Sequence, residues 1–178
     1  MKSNKLIVIF LIKFFGTYAL LFLGYSYYLE STQEKHNIYA CAPITTTVAN
    51  QTEFLLNSIG YEAEVVQHPD EVSMKLILNN VYIARVVEGC NAISIIILFI
   101  SFIVAFSTKF IVTTLYIIIG SLIIYSVNIV RIAIITIAMY EYPEYQKILH
   151  DLVFPAMIYG ITFLLWFIWV RQFSKIKK

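Results

Sequence analysis

The chain has 178 residues, of which 60% are hydrophobic and only 13% are charged, with a mean hydropathy of +0.77. A water-soluble domain would be nearer about 45–50% apolar and about 25% charged, so the composition excludes an ordinary soluble globule and predicts an integral membrane protein. The formal net charge is +2, and the basic residues cluster towards the ends. This distribution argues against a nucleic-acid partner and for orientation across a bilayer.

The first predicted element is a membrane span from Leu6 to Tyr28, because about 20 apolar residues cross the hydrocarbon core. The run ends in the aromatic stretch Tyr25–Tyr28, which is typical of a membrane interface. It lacks the short apolar region and small-residue cleavage site of a secretory signal. We therefore interpret residues 1–29 as an uncleaved N-terminal membrane anchor.

Residues 30–89 form the one sizeable polar segment and are predicted to lie outside the membrane. Apolar residues recur near helical spacing between Thr45 and Ile59, which predicts a helix that stops at Gly60. Three short runs follow, namely Glu62–Val66, Lys75–Leu78 and Val81–Val87, with Asn79–Asn80 as a turn, and they predict a short β-hairpin. The hairpin leads the chain directly to Glu88–Cys90.

Residues 90–171 are predicted to form a three-helix membrane core, followed by a basic cytoplasmic tail at 172–178. The three apolar stretches that predict its spans are residues 93–106, 110–140 and 150–170. The expected fold class is therefore an all-α membrane protein. It has about four transmembrane helices and a small α+β segment between the first and the second.

The positive-inside rule predicts the orientation of these spans. With four spans, the basic residues that fall on one side are Lys2, Lys5, Lys109, Arg171, Lys175, Lys177 and Lys178. We expect that side to be cytoplasmic. The polar segment 30–89 and the short loop 141–149 then lie on the outer face of the membrane.

Three residues that are unusual for apolar spans are predicted to meet at the outer membrane surface. Cys90 stands where the outer segment enters the second span, and His150 stands where the second outer loop enters the fourth. Arg131 lies 21 residues into the third span, or about 32 Å along a helix, roughly the full hydrocarbon thickness. The topology thus predicts a site of Cys90, Arg131 and His150, with two supporting residues, Asn91 and Asn128.

Each of these residues also has a simpler interpretation. A free cysteine is often a small buried hydrophobic residue, and Cys41 shares the oxidising side with Cys90, where a structural disulfide could form. Arg131 could be an interfacial anchor and His150 a loop residue at a helix start, and we interpret Glu88 as an interface residue. An ionisable residue inside an apolar span nevertheless indicates a functional site by default.

Cysteine, histidine and arginine together are typical of acyl-transfer chemistry. The thiolate is the nucleophilic form of cysteine, and a helix N-terminus favours it. Histidine can accept and donate the transferred proton, and arginine stays charged and can hold the developing oxyanion. The composition of the site therefore favours a transpeptidase or thiol peptidase. Such chemistry needs no cofactor, and the scattered histidines with no CxxC motif predict no metal site.

The order and spacing of three short motifs resemble those of the exosortase/archaeosortase family. The motifs are Glu88–Ser94, Asn128–Ala133 and His150–Pro155, and the resemblance runs over about residues 55–170. The chain looks most like the short exosortase F branch of Bacteroidetes. Two departures are visible: many exosortases follow the cysteine with Ser-Gly and have about eight spans, whereas this chain has Asn91-Ala92 and about four.

The resemblance implies a multi-pass membrane cysteine protease or transpeptidase. It matches Cys90 to the family nucleophile, Arg131 to the family arginine and His150 to the family histidine. It implies exported protein substrates that carry a C-terminal sorting signal made of a short motif, a transmembrane helix and a basic tail. Membrane lipid is the other expected partner, and no nucleic acid is expected.

Two other classes of function remain open from the sequence. A non-catalytic scaffold of the cell envelope would need no free thiol and would tolerate loss of Cys90. A small transporter or channel subunit would place polar residues along the membrane midplane or break its helices in repeated halves. The spans of this chain are nearly free of polar groups except near the outer edge, a pattern that favours the enzyme.

Overall fold

The computed structural model describes residues 2–33, 40–107 and 109–173. Six helices and three strands follow one another within these ranges. They are α1 (Lys2–Gln33), α2 (Pro43–Ser58), β1 (Ala63–Gln67), β2 (Ser73–Leu78), β3 (Val81–Val87), α3 (Ile93–Ala105), α4 (Phe110–Glu141), α5 (Gln146–Ile148) and α6 (Phe154–Ile168). The predicted class is confirmed, because the chain is a mostly helical membrane protein with a small α+β segment between its first and second apolar helices.

Three helical segments within the described residues are long and apolar enough to cross a membrane, namely Ile7–Thr32, Phe110–Glu141 and Pro143–Phe173. The remaining apolar helix, α3, has 13 residues. At 1.5 Å per residue it is about 20 Å long, shorter than the hydrocarbon core of about 30 Å. Its residues Phe99 and Ile103 are fully buried inside the protein, so α3 is surrounded by the other helices over much of its length.

The apolar helices alternate in direction. Phe10 near the start of α1 contacts Phe106 at the end of α3, with 4.6 Å between ring centroids. Tyr25 near the end of α1 is instead hydrogen-bonded to Asn91, just before α3. Tyr116 in the first half of α4 stacks near Phe173 at the end of the last helical segment, with 5.5 Å between centroids. The bundle therefore has a sheet end, next to the α+β segment, and an opposite end, where α1 begins and the last segment finishes.

The α+β segment contains a three-stranded antiparallel sheet in the order β1-β2-β3, so the three runs that predicted a short hairpin form three strands. β2 and β3 are joined at Asn79 and Asn80, whose φ angles of 49° and 64° suit a tight hairpin turn. A β-bulge near Leu76 and Ile77 places Ile83 as an extra residue in β3. Strand β1 pairs with β2 over its whole length.

One face of the sheet packs on α2 and on the second half of α4. Leu76, Leu78 and Val86 from the sheet share a buried cluster with Leu56 of α2 and Ile132 of α4. α4 has 32 residues and is about 48 Å long, which exceeds the hydrocarbon thickness. Its length allows it to cross the bundle and then support the sheet.

The last helical segment, which runs from α5 into α6, is interrupted by a π-helical turn at Leu149–Val153. Pro155 is the second residue after this turn, and proline has no N–H to donate to the residue four positions earlier. A wider helical turn before proline absorbs this lost bond and the bulk of the ring. The interruption lies where the sequence carries His150.

Candidate active site

Cys90 ends a single 3₁₀ turn, Glu88–Cys90, between β3 and α3. Glu88 anchors this turn, because its carboxylate accepts hydrogen bonds from the backbone N–H of Ala42 at 2.6 Å and from the hydroxyl of Thr45 at 2.5 Å. Both donors lie at the N-terminus of α2, where a carboxylate also complements the helix dipole. Glu88 is therefore a structural cap for α2 and more than the interface residue that the sequence indicated.

Asn91 holds the other side of the turn. Its amide nitrogen donates to the Tyr25 hydroxyl at 2.7 Å and to the Thr45 hydroxyl at 3.0 Å. Its amide oxygen accepts the N–H of Ile93 at the start of α3. The side chain is 1% exposed and its polar atoms are satisfied. Asn91 thus ties the Cys90 turn to α1, α2 and α3 at once.

Asn128 connects the same turn to α4. Its side-chain amide donates to the backbone carbonyl of Cys90 at 2.7 Å, and the residue is 1% exposed. Arg131 follows one helical turn later on the same face of α4. The two supporting residues named from the sequence, Asn91 and Asn128, therefore both contact the segment that carries Cys90.

Cys90 and Arg131 line the same cavity, whose volume is about 730 Å³. Its other walls are β3, the second half of α4 and the start of α6. The volume is within the usual range for a ligand site, about 300–1,000 Å³. The structure therefore brings together a thiol and a guanidinium that are 41 residues apart in the sequence.

The Arg131 side chain has an unsatisfied group in this cavity wall. Its Nε is buried and has no hydrogen-bond partner among the described residues. A buried N–H without a partner costs about 1–3 kcal/mol, so an acceptor that reached this donor would be stabilising. Arg131 is held in place while part of its donor capacity is unused.

The backbone of His150 lies in the π-helical turn Leu149–Val153, and its side chain lies outside the described part of the chain. The flanking residues Gln146 and Pro155 both line the cavity. Residues before and after the turn that carries His150 therefore line the cavity that contains Cys90 and Arg131.

Cys41 and Cys90 are both free thiols in the structure. Partial burial and then the nearby Glu88 carboxylate raise the pKa of Cys41 to about 11. At neutral pH Cys41 is accordingly a protonated, weakly nucleophilic thiol. It packs against the apolar cluster beneath the sheet and is not one of the residues that line the cavity.

The sequence did not indicate the long-range contacts that hold the turn, which involve Glu88, Thr45 and Tyr25. Thr45 and Glu88 are 43 residues apart, and Asn91 and Tyr25 are 66 residues apart. The only local signal was Pro43, which is favoured at the first turn of a helix and marks the α2 N-terminus that needs a cap.

The fold defines a multi-pass membrane protein. A cysteine and an arginine line one cavity at the sheet end of its helix bundle. Residues 7–169 match the family of transmembrane exosortases. No curated protein and no solved structure matched the chain. The match covers most of the chain, which therefore belongs to the transmembrane exosortase family, whose members are membrane-embedded sorting transpeptidases that act on exported proteins.

The structure explains how the chain accommodates one departure from the Ser-Gly pattern of many exosortases. Ala92 occupies the glycine position and adopts a left-handed conformation with φ 66° and ψ −5°. This conformation costs an L-residue about 1–2 kcal/mol, and glycine adopts it freely. Ala92 is 4% exposed, so its methyl group fills buried space that offsets part of that cost.

Proposed function

We propose that this protein cleaves a C-terminal sorting signal from exported proteins through a thioester on Cys90. Arg131 stabilises the oxyanion, and His150 acts as general base and acid. The observation that carries the proposal is the shared cavity, since Cys90 and Arg131 come from different elements and face the same space. Membership of the exosortase family supports the reaction class.

The chemistry follows from the residue types. Transfer of the Cys90 proton to His150 gives a thiolate, whose sulfur attacks the carbonyl carbon of the scissile peptide. The carbonyl oxygen becomes an oxyanion beside Arg131. The C–N bond then breaks, the leaving amine takes the proton from His150, and the N-terminal part of the substrate remains on Cys90 as a thioester. Attack by water, an amine or a lipid hydroxyl releases the product and restores the thiol.

We place the reaction on the outer face of the inner membrane. The alternating helices support this orientation, because Lys5 and Arg171 lie towards the opposite end of the bundle, as does Lys109 between α3 and α4. A cytoplasmic location for this basic end satisfies the positive-inside rule. The cavity at the sheet end then meets exported substrates whose own transmembrane helix lies in the same bilayer and whose basic tail remains on the cytoplasmic side.

The decisive experiment is replacement of the two cysteines in a strain that lacks the wild-type protein. We expect Cys90→Ala to abolish processing, because a methyl group cannot form a thioester. We expect Cys41→Ser to leave processing within about threefold of wild type, because Cys41 is outside the cavity. Processing is measured by mass spectrometry, as the fraction of exported membrane-fraction proteins that retain their C-terminal apolar peptide.

The same two variants allow the reactivity of each thiol to be measured separately. In the Cys41→Ser protein the remaining thiol is Cys90, and in the Cys90→Ala protein it is Cys41. With a pKa of about 11, roughly one Cys41 in a thousand is a thiolate at pH 8, so Cys41 should react slowly with iodoacetamide. Full processing by Cys90→Ala would exclude the thioester mechanism and favour a scaffold.

A further inference from the structure

The edge of strand β3 faces the cavity. Six consecutive residues of this strand, 82–87, line it. Successive side chains of a strand point to opposite faces, so a cavity against one face would be lined by alternate residues. Lining by consecutive residues indicates that the cavity lies along the backbone edge. β3 is the last strand of the sheet, and within the described residues no other strand pairs with this edge.

The hydrogen-bond pattern shows which backbone groups point outward. The N–H of His68 donates to Ser73 O at 2.9 Å, and the N–H of Asn79 donates to Glu62 O at 2.8 Å. Along an antiparallel strand, the N–H and C=O groups of successive residues point to opposite sides. Ser73 and every second residue after it therefore bond to β1, whereas Met74 and every second residue after it bond to β3. Val86 and Ala84 of β3 lie opposite the β2 residues that bond to β3, so the backbone groups of Val86 and Ala84 point towards β2.

It follows that the N–H and C=O of Arg85 and the N–H of Val87 point away from β2 and into the cavity, whereas the carbonyl of Val87 begins the 3₁₀ turn that carries Cys90. An exposed strand edge with free N–H and C=O groups is a template for another extended chain. From Tyr82 to Val87 the edge is about 17 Å long, enough for roughly five extended residues. It ends three residues before Cys90.

We infer that the substrate binds by strand addition: the extended residues that precede the scissile bond pair with the free edge of β3. This inference rests on the proposed function and specifies how the same site holds its substrate. Backbone pairing supplies affinity for any extended sequence. Side chains at alternate substrate positions contact the cavity walls and supply specificity.

The polarity of the added strand follows from the direction of the two chains. β3 runs towards Cys90, and the chain then enters the bundle as α3. A substrate whose motif precedes its own transmembrane helix runs the same way, with the scissile bond near Cys90 and its helix beyond. The substrate strand is therefore parallel to β3, although the sheet itself is antiparallel.

The outer edge of β1, on the opposite side of the sheet, serves as a control for the free edge of β3. At the start of β1, the side-chain amide of Asn57 accepts the N–H of Ala63 at 2.8 Å and donates to its carbonyl at 3.1 Å. This bidentate contact covers the beginning of the β1 edge. Val65, in the same strand, directs its backbone away from β2 as Arg85 does in β3.

Proline substitution tests the inference, because proline removes one backbone N–H. Arg85→Pro and Arg85→Ala lack the same side chain, and only the former also lacks the outward N–H. We expect Arg85→Pro to process exported proteins about tenfold more slowly than Arg85→Ala, as expected for loss of one binding hydrogen bond. Val65→Pro, the same change at the opposite edge, should process within twofold of wild type. Equal processing by Arg85→Pro and Arg85→Ala would overturn strand addition, as would equal losses in Arg85→Pro and Val65→Pro.

Photo-crosslinking provides a second measurement that does not depend on the proline variant folding. In a Cys90→Ala background, a photoreactive amino acid at Tyr82 should crosslink to the accumulated precursors. The same group at Glu64, on β1, should not. If precursors accumulate and Tyr82 captures none of them, strand addition fails while the thioester mechanism stands. If Cys90→Ala accumulates no precursor, the proposed function itself fails.

Discussion

Arg131 is held in position by α4, and one of its hydrogen-bond donors, the buried Nε, has no partner among the described residues. It lies one turn after Asn128, which is hydrogen-bonded to the Cys90 carbonyl, so its backbone is tied to the turn that carries Cys90. Under the proposed function, its guanidinium presents two donors to one substrate oxygen.

We predict that Arg131→Lys is poorly tolerated. Lysine keeps the charge but loses the planar fork, and loss of an oxyanion donor costs about 3–4 kcal/mol, or roughly 10²–10³ in rate. The measurement is the rate of precursor conversion after a pulse of substrate synthesis. Near-normal conversion by the lysine variant would reduce Arg131 to an electrostatic anchor.

We predict that His150→Ala slows both formation and release of the thioester. The proposed base takes the Cys90 proton and later returns it to the leaving amine, so its loss affects both steps. The measurements are the rate of precursor conversion and the amount of substrate bound to Cys90. His68→Ala is the control, because His68 accepts the N–H of Asp70 in the turn after β1, away from the cavity. Capture of substrate on Cys90 at the wild-type rate in His150→Ala would assign activation of the thiol to another group.

At the scale of elements, the short helix α3 depends on a close contact with α4. Gly120 of α4 lies against the fully buried ring of Phe99, and a Cβ at this position would overlap the ring. The ring also packs near Tyr116, with 6.2 Å between centroids, so it has little room to move. The absence of a side chain at Gly120 therefore sets how closely α3 and α4 approach.

We predict that Gly120→Ala destabilises the protein by about 1–3 kcal/mol, the usual cost of overpacking a core. Gly160→Ala in α6 is the matched control, since a methyl group added there would meet no atom within 4 Å and alanine favours a helix. Thermal unfolding of the detergent-solubilised protein compares the two variants. Equal midpoints for both would show that Phe99 moves aside at little cost.

At the scale of the whole molecule, the alternating helices place the sheet and the cavity at one end and Lys5, Lys109 and Arg171 at the other. We predict that the sheet end lies on the outer, periplasmic side of the inner membrane. Alkaline phosphatase inserted in the turn between β1 and β2 should be active, and green fluorescent protein fused after Lys178 should fluoresce. Phosphatase activity from a fusion after Lys178 would place the cavity on the cytoplasmic side and contradict the proposed function.

Several properties follow from the sequence alone because they depend on local composition. Within the bilayer every backbone polar group must be satisfied internally, so a long apolar run specifies a helix whatever its neighbours are. This is why the spans at Leu6–Tyr28 and 110–140 matched α1 and α4 closely. The Asn79–Asn80 turn was equally predictable, because asparagine tolerates positive φ.

Other properties were decided only by tertiary structure, because they depend on groups far apart in the chain. β1 completes the sheet through pairing with β2, and Glu88 caps a helix that begins 45 residues earlier. The short helix α3 is buried because other helices surround it, although its apolar composition alone resembles that of a membrane span. The free edge of β3 beside Cys90 likewise follows from strand order. Hydropathy and spacing report on neighbours in sequence, whereas a cavity and a hydrogen-bonded turn are made by partners that meet only when the chain has folded.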